Sequence, residues 1–356
     1  MGLRTGVTTG ICAAAAAKAA AMLLLSSNPT ELVEIAPKVG KPIAFEIINS
    51  SIDGCCATCA FVKYAGDDPD VTDGIRIIAS VAKSASSGIN VDGGDGVGRV
   101  TKPGLKAPVG KAAINPVPME MITAAIREIC VQYGYEGGID AVISIPSGAD
   151  IAKKTMNERL GVVGGLSILG TTGIVEPMSE RAIIETIKAE IDVHAASGNK
   201  ILIMTPGNYG KDFTSESLGL SVDDAVRCSN FIGEALDYAC TKEFEKITLI
   251  GHAGKLVKLA GGVMNTHSSI ADCRLEIIAA HSALSGADTP AISKIMDSAT
   301  TKAAIDVLEC YGIREPVWES IGKRIGFHLK ARTKSTVCIE YIVFTQEHGI
   351  LTRGVT

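Results

Sequence analysis

The chain of 356 residues reads as an α/β protein in two parts. An α+β N-terminal domain with a small antiparallel sheet is expected over residues 1–137. A Rossmann-like α/β domain with a mainly parallel sheet and a helical C-terminal extension is expected over residues 138–356. Three observations predict this. The length exceeds that of a usual single domain. The first part carries short β-branched runs between turn residues, the pattern of antiparallel strands. In the second part, residues 139–145 (IDAVISI), 200–205 (KILIMT) and 246–250 (KITLI) are nearly continuous apolar runs. Such runs suit parallel strands buried on both faces, and helical patterns over 179–197 and 221–241 lie between them.

Taken in order, Thr8 and Thr9 are N-cap residues for an alanine-rich helix over 11–25, and its positive end is a candidate anion seat. The helix is too short to span a bilayer and carries Lys18 at its middle. It also lacks the cleavage pattern of a secretory signal, so a cytoplasmic protein with reduced cysteines is expected. Strands follow at 31–36, 43–49 and 55–64. Cys55, Cys56 and Cys59 invite a zinc reading, but strand alternation turns Cys56 away from the other two and no second CxxC completes the site.

The turn Gly66-Asp67-Asp68-Pro69-Asp70-Val71-Thr72-Asp73-Gly74 lacks the closing glutamate of a calcium loop. A strand over 74–83 precedes a glycine loop containing Gly94, Asp95, Gly96 and Gly98. That loop is not a dinucleotide fingerprint, because Pro103 and Gly104 prevent the helix that should open there. Asn115-Pro116 starts a helix running to about residue 133, and Gly134, Gly137 and Gly138 mark the expected domain boundary.

Residues 161–179 (GVVGGLSILGTTGIVEPMS) hold five glycines in nineteen residues and one charge. Glycine at that density means backbone pressed close to something, either another element or a ligand. The loops after the three parallel strands cluster beyond their carboxyl ends, where ligands bind in open α/β sheets. They bring Gly207, Asn208, His252 and Lys255 into play, with Lys258 sharing a helix face with Lys255. Thr266 and His267 lead into a helix with Ser269 and Asp272 in capping-box spacing. The tail reads as helices and a late strand over 337–344, with no chemistry in it.

Composition excludes several classes. Aromatic residues are 4% of the chain and the net charge is −5, which argues against single-strand stacking platforms and against a basic nucleic-acid footprint. None of the five Gly-Lys pairs is followed by Ser or Thr, so there is no phosphate-binding P-loop. GxSxG and HExxH are absent as well.

Five motifs together carry a resemblance: RTGVTTGICAAAAAKAA, GDDPDVTDG, GGDGVGRVTKPGL with AINPVP, NERLGVVGGLSILGTTGIVEPMS, and GHAGKLVKLAGGVMNTHS. In combination they resemble the CbiD family, the cobalt-precorrin-5B C-methyltransferases of oxygen-independent cobalamin synthesis, over the chain up to about residue 285. Asp73 stands where the family usually shows histidine, and Met119 where it often shows arginine. The resemblance implies transfer of a methyl group from S-adenosylmethionine to carbon 1 of a corrinoid, with cobalt only as part of that substrate. It implies a small-molecule corrinoid partner and transient contact with neighbouring pathway enzymes; composition, charge and the short Lys18-bearing helix predict no nucleic-acid or membrane partner. Alignment of an activated methyl donor with a nucleophilic ring carbon needs no triad, which agrees with the absence of one.

The carboxylate-rich substrate the family acts on calls for cations, amides and hydroxyls. The expected substrate residues are Thr8, Thr9, Gly10, Lys18, Lys102, Asn115, Gly207, Asn208, His252, Lys255, Lys258, Thr266 and His267. The sulfonium, ammonium and ribose of the donor call for carboxylates and close backbone. The expected cofactor residues are Asp67, Asp68, Asp70, Gly94, Asp95, Gly96, Gly98, Gly170, Thr171 and Thr172, with Leu169 to Gly173 facing an interdomain cleft. Two rivals are a phosphate-handling α/β enzyme and a non-catalytic corrinoid carrier.

Overall fold

The alanine-rich segment is the buried axis of the first unit. Helix α1 (Thr9–Ser26) has no polar face: Thr9 through Ala17, Ala19 to Ala21, Leu23 and Leu24 are all buried. The computed structural model describes residues 2–207 and 225–356 and divides into two compact units, Met1–Glu180 and Arg181–Thr356. By length and composition α1 could cross a membrane, yet 78% of it is buried inside the protein. Packing therefore accounts for its apolarity. Helix α2 (Pro116–Gln132) covers one side and a sheet the other; alanine side chains let both approach closely.

That sheet has the order β4 (Asn49–Asp53), β5 (Cys56–Val62), β6 (Arg76–Ser84), β9 (Gly138–Ser144), β7 (Ile89–Gly93). All pairs are antiparallel except β7 with β9. Alternation sets the inner face. Ala57, Cys59 and Phe61 of β5 stand opposite Val81, Ala79 and Ile77 of β6, and Ala141 and Ile143 of β9 continue the layer. All of these side chains are buried, as period-2 patterning requires. Cys56 and Cys59 lie on opposite faces, and burial pushes the Cys59 thiol up to about 11. A separate ribbon pairs β2 (Leu32–Ile35) with β3 (Ile43–Glu46), so the run at 43–49 ends earlier than expected and β4 follows as a strand of its own.

The second unit has the sheet order β13 (Val226–Arg227), β12 (Ile201–Thr205), β14 (Lys246–His252), β15 (Cys338–Thr345), β16 (Gly349–Val355). The first four are parallel and β16 is an antiparallel edge. Beyond the short α3 (Gly148–Ala152) of the first unit, helices α4 (Glu180–Ala196) and α5 (Ile232–Ala239) supply apolar faces to the second unit's core. After β14 come α6 (Ala253–Leu256), a 3-10 turn (Val257–Gly261), α7 (Arg274–Leu284), α8 (Thr289–Met296), α9 (Thr301–Cys310) and α10 (Arg314–Thr333), which buries Trp318.

Three expectations are corrected. The strand at 139–145, read as the first parallel strand of a second domain beginning at 138, is β9 of the first unit. Asp140 and Val142 are exposed between buried Ile139, Ala141 and Ile143, so the run alternates and was never buried on both faces. Gly138 therefore marks no boundary, and the division falls at Glu180. The helix expected over 221–241 is helical only across α5 within the described residues, because Val226–Arg227 pairs with β12; residues 221–224 lie outside them. Ser269 and Asp272 form no capping box, since α7 starts at Arg274 with Cys273 in the N-cap position.

Candidate functional site

Residues 161–179 form a seam through the first unit that touches the other motifs one after another. Strand β10 (Val162–Val163) pairs with β8 (Arg99–Val100). Leu166 N donates to Gly96 O at 2.9 Å, and Gly98 N to Leu166 O at 2.9 Å. Ile168 N donates to Ala113 O at 2.8 Å, and Asn115 N to Ile168 O at 3.0 Å. Gly10 N donates to Leu169 O at 3.0 Å, Leu169 N to Thr9 Oγ1 at 2.9 Å, and Thr8 N to Gly173 O at 3.0 Å. Strand β11 (Ile174–Val175) then pairs with β1 (Gly6–Val7). Finally Met178 N donates to Asp68 Oδ1 at 2.8 Å.

The seam brings Thr8, Thr9, Gly10, Gly96, Gly98, Asn115, Asp68, Gly170 and Thr172 into one network, but it commits most of their polar groups to the protein itself. Gly96 has φ +68, and a Cβ there would stand 1.7 Å from Ile145 O. Its glycine is required by protein backbone, with no ligand needed to explain it. Gly170 has φ +128 and abuts the Thr8 side chain. The start of α1 is no anion seat, because the Gly10 and Thr8 amides are satisfied by carbonyls and Ile11 N by Thr8 Oγ1 at 3.4 Å. Thr172 bonds within its own turn, to Ile174, whereas Thr171 is exposed.

The acidic turn is equally committed. Asp67 takes the Arg4 amide and guanidinium at 2.7–2.9 Å, and the Arg4 hydrogen bonds hold its carboxyl below the ordinary range. Asp70 accepts from Lys63 Nζ at 2.8 Å, and the Lys63 side chain is only 2% exposed. Burial pushes Asp70 up, but the Lys63 ammonium and the Thr72 amide outweigh it and leave its pKa low. Asp73 accepts Ala65 N at 2.7 Å, a structural task for the residue that departs from the family pattern. Of the expected cofactor carboxylates, Asp95 is the exposed one with no side-chain partner among the described residues.

Lys18 does not join this end of the helix. It pairs with Glu128 at 2.7 Å and with Glu34 O at 3.0 Å. Lys102 is exposed and reaches Arg159 O at 3.3 Å. Asn115 precedes α2 without a side-chain cap, because Pro118 removes an amide that an N-cap residue would bond.

In the second unit, the carboxyl ends of the parallel strands form a small concavity lined by Thr205, Pro206, Gly207, Gly251, His252, Lys255 and Phe344. Lys255 Nζ donates to Pro206 O, and burial lowers its pKa. His252 Nδ1 accepts Gly254 N at 3.1 Å, which leaves the neutral ring's proton on Nε2; burial lowers its pKa as well. Gly207 is at the rim, and Asn208 lies outside the described residues.

Lys258 takes no part in this site. It is buried and donates to Thr266 O at 3.1 Å and Ala271 O at 2.7 Å, which pins the loop that carries Thr266 and His267. Thr266 is itself buried against Asn230, at 3.4 Å. His267 is exposed and turns back on Ser269 at 2.6 Å. Sequence reasoning missed Phe344. Its signal was its place at the end of an apolar strand, but only the sheet order shows that strand lying beside β14.

A family model described as CbiD matches residues 1–177, and one described as CbiD, C-terminal domain, matches residues 265–355. The cobalt-precorrin-5B C(1)-methyltransferase of Ruminiclostridium cellulolyticum is 50% identical over 343 residues, covering 96% of this chain and 89% of the relative. The enzyme of the same name from Methanocaldococcus jannaschii is 44% identical over 330 residues, covering 92% of this chain and 90% of its own. Among solved structures, the cobalamin biosynthesis protein (cbiD) of Archaeoglobus fulgidus shares 26% identity at a TM-score of 0.40 over 76% of this chain and 83% of its own. With relatives this similar along nearly its whole length, the chain belongs to the CbiD family.

Proposed function

We propose that the protein methylates carbon 1 of cobalt-precorrin-5B to give cobalt-precorrin-6A, with S-adenosylmethionine as donor, in the cytoplasm and as a step of oxygen-independent cobalamin synthesis. The observation that carries this is identity of 50% across 96% of the chain to an enzyme named for that reaction. A sulfonium methyl is already activated, so the protein's work is to align two reactants and exclude water. Cys12, Cys59, Cys130 and Cys228 are buried, and burial pushes their thiols up, toward the inert protonated form.

Three of the carboxylates expected to hold the donor are already engaged, while Asp95 and Thr171 are exposed. Asp67, Asp68 and Asp70 are engaged by Arg4, Met178 and Lys63, so no step is assigned through them. The substrate side fits better. The strand-end concavity is too small for a macrocycle but suits one carboxylate arm of it, received by the Lys255 ammonium and flanked by Gly207 and His252. A carboxylate would replace the Pro206 carbonyl as partner of Lys255 and hold the amine charged.

The test is anaerobic incubation of the purified chain with cobalt-precorrin-5B and methyl-labelled S-adenosylmethionine. Label in the corrinoid is expected. Tight corrinoid binding without transfer would instead make the protein a carrier. The phosphate-handling alternative loses one of its two anion seats, the start of α1, to the Leu169 and Gly173 carbonyls, and keeps the strand-end loops.

A further inference from the structure

One cluster of ligand-type side chains stands apart from everything above. Asp306 and Glu309 lie one turn apart on α9, and His348 lies in the turn between β15 and β16. Their ligand atoms lie within 4.8 Å of one another. His348 Nε2 is 3.3 Å from Asp306 Oδ1, and His348 Nδ1 is 3.6 Å from Glu309 Oε1. The His348 side chain is 11% exposed. Its Nε2 is closed off from solvent and makes no hydrogen bond among the described residues, although a carboxylate oxygen stands beside it.

We propose that Asp306, Glu309 and His348 form a seat for one divalent ion of the zinc, cobalt or nickel class, independent of the corrinoid's own cobalt. Two atoms each about 2.1 Å from a shared ion, at angles between square and tetrahedral, stand about 3.0–3.4 Å apart. The Nε2 to Oδ1 separation falls in that range, while its alignment fails as a hydrogen bond. An ion shared by the two atoms accounts for both the short separation and the missing hydrogen bond.

One imidazole with two carboxylates suits borderline divalent ions, and the two anionic charges offset the ion's own. Lys302 holds the other oxygen of Asp306 at 3.1 Å, which orients Oδ1 as supporting residues do around metal ligands. Arg314 binds Glu309 through Oε1, the oxygen that also stands beside His348, so an ion would compete with Arg314 for it. Exposed pairs of this kind are worth little and yield readily to a stronger partner.

The seat has a structural consequence. His348 follows Phe344 by one turn of chain, and Phe344 forms a wall of the strand-end concavity. An ion here fastens the turn at 345–349 to α9 and stiffens that wall. Sequence spacing gave no hint of it, because the histidine comes from a hairpin distant in the chain from α9.

The experiment uses the full chain, stripped with chelator and titrated with Co²⁺ as a spectroscopic probe. One equivalent is expected to bind, with weak visible bands of nitrogen and oxygen ligation and no thiolate charge-transfer band. His348→Gln and Asp306→Asn should each weaken binding by more than about tenfold, the loss expected of even a supporting residue. Glu309→Gln serves as a third variant should either of those fail to fold by circular dichroism. Adding Zn²⁺ should slow amide exchange at 345–349 in the unmodified chain and leave it unchanged in folded His348→Gln. No binding at millimolar metal would mean that His348 pairs with the carboxylates through a proton alone and would overturn the seat. A thiolate band, or equal binding in the folded variants, would overturn it by placing the ion elsewhere.

Discussion

Replacing Asp70 with asparagine leaves the Lys63 ammonium without its counter-charge beneath the acidic turn. Lys63 is 2% exposed and Asp70 26% exposed, with 2.8 Å between Nζ and Oδ2. Removing one partner of a fully buried pair costs about 3–5 kcal/mol. Water can still reach the Asp70 side, so about 2–3 kcal/mol is expected here. For a unit of this size that lowers the melting temperature by about 4–12 °C.

Hydrogen exchange at the α1 amides reads the first unit alone and is the preferred measurement. Lys63→Met with Asp70→Leu should recover most of the loss, because an apolar pair needs no solvation. The pH dependence gives an independent reading. The folded pKa of Asp70 is depressed, so its contribution is complete above the unfolded carboxylate value, near about 3.9, and is lost as pH falls through the folded pKa. The unmodified chain should therefore lose more stability on acidification than Asp70→Asn. A cost below about 0.5 kcal/mol, or a double variant as unstable as the single one, would refute the reasoning.

Other substitutions separate structural from binding roles. Gly96→Ala places a Cβ 1.7 Å from Ile145 O at φ +68; it should cost more than about 3 kcal/mol in denaturant unfolding, and near-neutral stability would show that the loop can yield. Lys258→Met should destabilise the second unit by about 1–3 kcal/mol by stripping donors from the Thr266 and Ala271 carbonyls, with little change in corrinoid affinity once folded. Lys255→Glu should do the reverse, weakening corrinoid binding by tenfold or more while S-adenosylmethionine binding is kept. Equal loss of both ligands in titration calorimetry would count against Lys255 as the carboxylate partner. Because burial lowers the Lys255 pKa, corrinoid affinity should begin to fall at a lower pH than an ordinary lysine would impose.

Much of the site's fate was illegible in the residues because polar groups look alike whether they face a ligand or the protein. Asp67, Asp68 and Asp70 were reasonable acceptors for a cationic cofactor, and the fold spends them on Arg4, the Met178 amide and Lys63. Lys255 and Lys258 stand three apart, yet one reaches the Pro206 carbonyl and the other is buried under the loop at 266–271. Helical spacing describes a face, and only packing decides what covers it.

The local rules that the sequence obeys were decisive where they act within one element. Alanine content and the Thr8 cap determined α1, and continuous apolar runs determined β12 and β14. The dense glycines of 161–179 showed from sequence alone that backbone would be pressed against something. That the something is the rest of the first unit was decided by tertiary structure. Hydrogen-bond partners up to about 160 residues away, Thr9 with Leu169 among them, cannot be read from neighbours along the chain. The placement of β9 beside β6 was decided in the same way, since a strand's partner depends on which edge is free when the sheet assembles.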